Sequence, residues 1–204
     1  MFDPGTAIIQ AKVTLEDIAP PIWRQLLLPP TLNLAELHHV IQTAFGWLDY
    51  HLHQFVVGGL RYGAPELFEQ DFDDDSQVLE ATLIRLRDFE WSYTQPIRFL
   101  YLYDFGDDWR HRVELETRIA PDPARKYPAC IDGARARPPE DVGGVSGYAE
   151  FLEAWRDPDH QDHHHMRQWA GRSFNTERFD LAKTDQAVRS APRKARKDYI
   201  FRRD

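Results

Sequence analysis

The chain has almost nothing with which to cross-link itself. It holds a single cysteine, Cys130, so an intrachain disulfide is impossible and a zinc site built on several thiolates is excluded. Cys130 lies between Ala129 and Ile131 and reads as a small buried residue rather than a nucleophile. No apolar run reaches the roughly 18 residues of a membrane-spanning helix. No N-terminal stretch joins basic residues to an apolar run of signal-peptide length, so a cytoplasmic protein is expected. A glycine-rich phosphate loop, a serine-nucleophile elbow and an internal repeat are all missing.

What is present is a core. Hydrophobic residues make up 42% of 204 residues and aromatics 13%, too much for a disordered chain. That length suits one domain with a real interior, and the six tryptophans and twelve phenylalanines supply large rings as core or cleft walls. The net charge is −8, but it is unevenly spread. Arg189, Arg193, Lys194, Arg196, Lys197, Arg202 and Arg203 oppose only Asp198 and Asp204 at the C-terminal end, so the body is more acidic than the net figure. We therefore expect one domain over residues 1–188 and a basic tail over 189–204. An acidic body repels nucleic acid at long range, which leaves the tail as the place for any such contact.

Residues 7–15 and 22–28 read as strands separated by Pro20-Pro21. Asn33 caps a helix over 34–45 with Leu34, Leu37, Val40, Ile41, Ala44 and Phe45 on one face, closed by Gly46. A strand follows at 51–57, with Gly58-Gly59 as a turn. Residues 64–78 read as a loop and 79–88 as a short helix with Leu79, Leu83 and Leu86 on one side. Residues 97–103 and 109–119 pair as an antiparallel hairpin across Asp104-Phe-Gly-Asp-Asp108, with Gly106 placed to take a positive φ. Residues 121–145, rich in proline and glycine, read as a long irregular segment. Three helices follow, over 148–155, 160–169 and 177–188, with Asp159 and Thr176 capping the last two. Strands first and helices last predict an α+β fold, an antiparallel β-sheet packed with helices and ending in a C-terminal helical segment.

Several separated motifs stand out in order: Pro21-Ile-Trp-Arg24, Leu37-His38, Gly46-Trp47, His51-Leu-His53-Gln-Phe55, Tyr103-Asp-Phe-Gly-Asp107-Asp-Trp109-Arg-His111, Pro139-Glu140-Asp141-Val-Gly-Gly144 and Gly147-Tyr148. Over residues 6–188 the chain resembles the plasmid-encoded pRiA-type ORF-three-like proteins, some of which are labelled insertion-sequence passenger or TnpR-like proteins. The resemblance implies a bacterial or archaeal α+β domain of plasmid or mobile-element origin, without an agreed activity. A serine resolvase would need a nucleophilic serine among arginines and a helix-turn-helix, and neither is evident.

The candidate site residues are Asp104, Asp107, Trp109, His111, Glu140 and Asp141. Carboxylates brought within about 4–6 Å on one turn either raise a pKa or call for a cation. A divalent metal would draw on His51, His53, Asp104, Asp107 and His111, which offer nitrogen and oxygen donors. The plainer reading has Asp104 holding turn amides, Asp107 or Asp108 pairing with Arg110 or Arg112, and His111 lying on the sheet. Glu140-Asp141, between two prolines and two glycines, reads either as a rigid loop presenting acids or as a loop whose acids bond Arg135 and Arg137. His38 and His39 read as satisfied, partly buried residues. His160, with His163, His164 and His165, reads as surface.

The expected function leans toward a ligand- or protein-binding accessory domain over an enzyme. It would have an acidic, aromatic-walled cleft formed by the hairpin, the His51–His53 strand and the Glu140–Asp141 loop, and would suit a small cationic ligand, a metal or a basic protein segment. The alternatives are a metal-dependent hydrolase using Asp104, Asp107, His111 and Glu140, and a DNA-associated protein acting through the basic tail.

Overall fold

Alternating burial along the first two strands sets the architecture. Our computed structural model describes residues 6–63, 78–89, 95–171 and 173–195. Strand β1 (Ile8–Leu15) turns Ile9, Ala11, Val13 and Leu15 to the interior and pairs on one side with β2 (Ile22–Leu28), on the other with β7 (Trp109–Ile119). Beyond β7 come β6 (Ile97–Tyr103), β3 (His53–Val57), β4 (Leu60–Gly63) and β5 (Val78–Glu80). β8 (Ala129–Ala134) closes the other edge. Among the described residues this is one eight-stranded sheet, antiparallel except where β4 meets β5. With the helices that follow, the fold is α+β.

Helix α1 (Leu34–Phe45) lies on the inner face of the sheet. Its N-terminus carries a reciprocal cap: Asn33 accepts from the Glu36 amide and Glu36 accepts from the Asn33 amide. Gly46, at φ 84, ends it. The expected apolar face is there, but the polar side is buried too, with Glu36, His38, His39 and Gln42 covered. Helices α2 (Gly144–Arg156), α3 (His163–Trp169) and α4 (Leu181–Val188) complete the interior, α4 against both α1 and β8. Val188, Ala191 and Ala195 are buried in the main core, so the chain stays packed as far as the described residues run. Residues 196–204 of the basic tail lie outside them.

Several expectations need correcting. Residues 79–88 do not form a helix. They make β5, a turn and a short 3-10 turn over Leu86–Asp88. Leu83 is 69% exposed while Leu86 is fully buried, so the three leucines do not share a face. The backbone of this segment is spent on α1 instead: the Leu34 and Ala35 amides, orphans of the first helical turn, donate to the Ile84 and Ala81 carbonyls. Residues 121–145 are not wholly irregular. β8 pairs with β2 within them, a short edge strand masked by flanking prolines. Helix α3 starts after Asp162 rather than at His160, and α4 is capped by Asp180 rather than Thr176, which is buried and accepts from the Ala136 amide. The expected loop over 64–78 lies almost wholly outside the described residues.

Candidate metal centre at the head of the central hairpin

The turn between β6 and β7 is built by aspartates, not by glycine. Asp104 and Asp108 take positive φ (58° and 54°) and Gly106 does not, contrary to expectation. Aspartate tolerates this region because its short side chain bonds the local backbone. Asp104 Oδ1 accepts from the amides of Gly106 (3.0 Å) and Asp107 (3.3 Å), and Asp108 pairs with Arg110 at 2.8 Å. Oδ2 of Asp104 points the other way, toward His51.

Two loops close over this turn. The segment after α1 is held by Tyr103, whose hydroxyl accepts from the Tyr50 amide at 3.1 Å and donates to Glu140 Oε2 at 3.4 Å. Glu140 Oε1 accepts from the Leu48 amide at 2.7 Å. Arg137 donates to the Gly46 carbonyl at 2.8 Å and lies over Trp47. Burial lowers the Arg137 pKa, and burial together with the Glu140 charge raises the Tyr103 phenol. Asp107 Oδ2 accepts from the Gly143 amide at 3.2 Å, and a Cβ on Gly144 would stand 2.5 Å from the Asp107 carbonyl. Turn and loop are therefore interlocked.

This closure brings His51, Asp104 and Asp141 together. His51 Nε2 stands 3.1 Å from Asp141 Oδ1 and 3.5 Å from Asp104 Oδ2. The nitrogen is buried, yet it makes no hydrogen bond of acceptable geometry. The Asp104 side chain is 10% exposed and that of Asp141 68%, so the cluster has a walled side and an open side.

A second group, His38, His39 and Asp49, is tied to Tyr101, which lies two residues from Tyr103 on the same face of β6, about 7 Å along the strand. Gln42 Nε2 donates to the Tyr101 hydroxyl at 2.8 Å, and that hydroxyl lies 2.8 Å from His38 Nδ1. The chain is consistent if Tyr101 donates to Nδ1 and His38 Nε2–H donates to Asp49 Oδ1, also at 2.8 Å. Burial alone would raise the Asp49 pKa, but hydrogen bonds from His38 and His39 outweigh it and hold the carboxyl well below the usual carboxylate range. Burial raises the Tyr101 phenol. The 2.8 Å contacts are hydrogen-bond lengths, and the network already accounts for both nitrogens of His38.

The residues singled out from sequence thus part company. Asp104, Asp141 and His51 meet. Asp107 and Glu140 border the cluster but are engaged with backbone amides and a tyrosine. His53 joins the other group, its ring stacked 3.4 Å from that of His38. Trp109 is fully buried. So is His111, which accepts from Trp47 Nε1 at 3.1 Å, sits 3.1 Å from the Trp109 carbonyl and is pulled by burial to a pKa of about 3. It is a core residue in this geometry. Asp49, Gln42, Tyr101 and Tyr103 carried no site reading in the sequence. No local signal marked Asp49, which follows Gly46-Trp47 in the irregular segment after α1.

Residues 7–183 match the model of the plasmid pRiA4b ORF-3-like proteins. The chain belongs to that family. It is 35% identical over 183 residues to an uncharacterised protein, y4hQ, of Sinorhizobium fredii (strain NBRC 101917 / NGR234), a match covering 89% of this chain and 91% of the relative. Its fold is similar to the crystal structure of a protein of unknown function, MM3350, from Methanosarcina mazei Go1. That similarity has a TM-score of 0.76 and 33% identity, and covers 86% of this chain and 96% of that one. Among the described residues of this ORF-3-like chain, no helix is long and apolar enough to cross a membrane.

Proposed function

We propose that this ORF-3-like chain is a ligand-binding accessory domain of plasmid or mobile-element origin whose site is a divalent-metal centre formed by His51, Asp104 and Asp141. One observation carries the reading: a buried imidazole nitrogen without a well-formed hydrogen bond faces two carboxylate oxygens at 3.1 and 3.5 Å. Two donors held about 2.1 Å from one ion, at octahedral or tetrahedral angles, stand about 3.0–3.4 Å apart. One imidazole and two carboxylates suit manganese, iron or zinc better than a soft ion. Asp104 and Asp141 both take left-handed backbone (φ 58 and 56), a conformation aspartate tolerates and one that fixes where each carboxylate is carried. The interlock of the three loops supplies the rigid frame that a pre-formed site needs.

Calorimetric titration with Mn²⁺ and Zn²⁺ tests this. The expected result is one ion per chain, with His51→Ala and Asp104→Asn each weakening it by about tenfold or more while the fold is retained. Wild-type protein that takes up neither ion would end the proposal.

A further inference from the structure

Asp141 belongs to more than the metal cluster. It also lines a groove of about 830 Å³ that runs between the C-terminal end of α1, the 136–141 loop and the α3–α4 region. That volume is typical of small-molecule sites. The charge in this groove runs against that of the chain, which is −8 overall. Four cations line it (Arg24, Arg137, Arg178, Lys183), against Glu140, Asp141 and Asp180.

Most of these charges already have work. Arg24 donates to the Ala44, Trp23, Ala134 and Arg135 carbonyls, and Arg137 to those of Gly46 and Pro138. In doing so both cover the carbonyl end of α1. Glu140 is held by Leu48 and Tyr103, and Asp180 caps α4. Arg178 and Lys183 are different. Both are exposed on the groove wall, and neither has an ion pair or a side-chain hydrogen bond among the described residues. Trp169 lines the same groove and is 44% exposed, which leaves a ring available to a planar group.

We infer that this groove binds a small organic oxyanion. Its charged group is held by Arg178 and Lys183, its planar part lies against Trp169, and a donor atom reaches the metal at Asp141. The inference rests on the metal-centre reading for that last contact alone. A phosphate monoester and a carboxylate share the needed chemistry, since guanidinium and ammonium groups take either. A metal ion at Asp141 would offset the charge of one of the three acids lining the groove, so metal and anion should bind cooperatively.

The test uses the full chain and two probes, adenosine monophosphate for phosphate and phthalate for carboxylate. Each is titrated calorimetrically with Mn²⁺ present and again with a chelator, and tryptophan fluorescence is followed in wild type and in Trp169→Phe. The expected result is saturable binding of at least one probe, strengthened by Mn²⁺. The Arg178→Ala/Lys183→Ala double variant should weaken it by about tenfold or more with Mn²⁺ affinity unchanged. Trp169→Phe should remove the fluorescence response. Which probe binds identifies the oxyanion. If Mn²⁺ binds but neither probe does, or the double variant binds as well as wild type, the groove inference is overturned and the metal centre stands. If a probe binds equally with and without Mn²⁺, the link through Asp141 is overturned.

Discussion

Gly144 and Asp107 pack so closely that a Cβ on the glycine would lie 2.5 Å from the Asp107 carbonyl oxygen. The glycine also sits at φ 68, a conformation other residues adopt with strain. It opens α2 and follows directly on the loop that carries Asp141. Gly144→Ala is therefore expected to destabilise the fold by about 1–3 kcal/mol and to weaken Mn²⁺ binding although it removes no ligand. Urea denaturation and metal titration on the same sample check both parts. Unchanged metal affinity would show that the interlock does not set the position of Asp141.

Tyr101 gives a cleaner stability test, because it is fully buried and touches no proposed ligand. Tyr101→Phe keeps the ring but removes the hydroxyl shared by Gln42 and His38. Two buried polar groups then lose a partner, and the expected loss is about 1–3 kcal/mol in chemical denaturation. A loss well below that would mean the Gln42–Tyr101–His38–Asp49 chain is not intact in solution.

Glu140 ties the 136–141 loop to the segment after α1 through Leu48 and Tyr103. Glu140→Ala leaves the Leu48 amide and the Tyr103 hydroxyl without that partner and Arg137 without its nearest acid. We expect a lower unfolding midpoint and weaker metal binding. Glu140→Gln, which keeps an acceptor, should recover most of the affinity. If glutamine is as damaging as alanine, the charge rather than the hydrogen bonding matters at this position.

His111 makes a pH prediction. Its folded pKa of about 3 lies below the ordinary 6.5, so as pH falls the unfolded chain takes up the proton first. Stability from this group is complete above about 6.5 and declines as pH falls from there toward 3. By pH 5 the loss is about 2 kcal/mol. His111→Gln, which leaves an acceptor for Trp47 Nε1, should show a shallower fall in stability between pH 7 and 5. Equal slopes would show that other groups set the acid sensitivity.

Much of the framework was legible along the chain. Period-two burial in residues 8–15, three-and-four spacing in 34–45, the Asn33 and Gly46 caps and the Asp-rich link from 104 to 108 are local signals, and each acts on its own few residues. They determined the helix, most strands and the hairpin. Residues 79–88 show the limit: their leucines allowed a helix, but α1 needed acceptors for its first amides and drew this backbone into an extended form. Which polar residues share a site was decided by tertiary structure alone. His51 and His53, two apart, go to different clusters, while Asp141 comes to His51 from the loop between β8 and α2. His111 ends the most recognisable motif, yet strand pairing and Trp47 bury it. The physical reason is that hydrophobic periodicity chooses the face of an element, whereas meeting at a site depends on loop closure. Here that closure is held by Tyr103, Glu140 and Gly144, whose partners are distant in sequence.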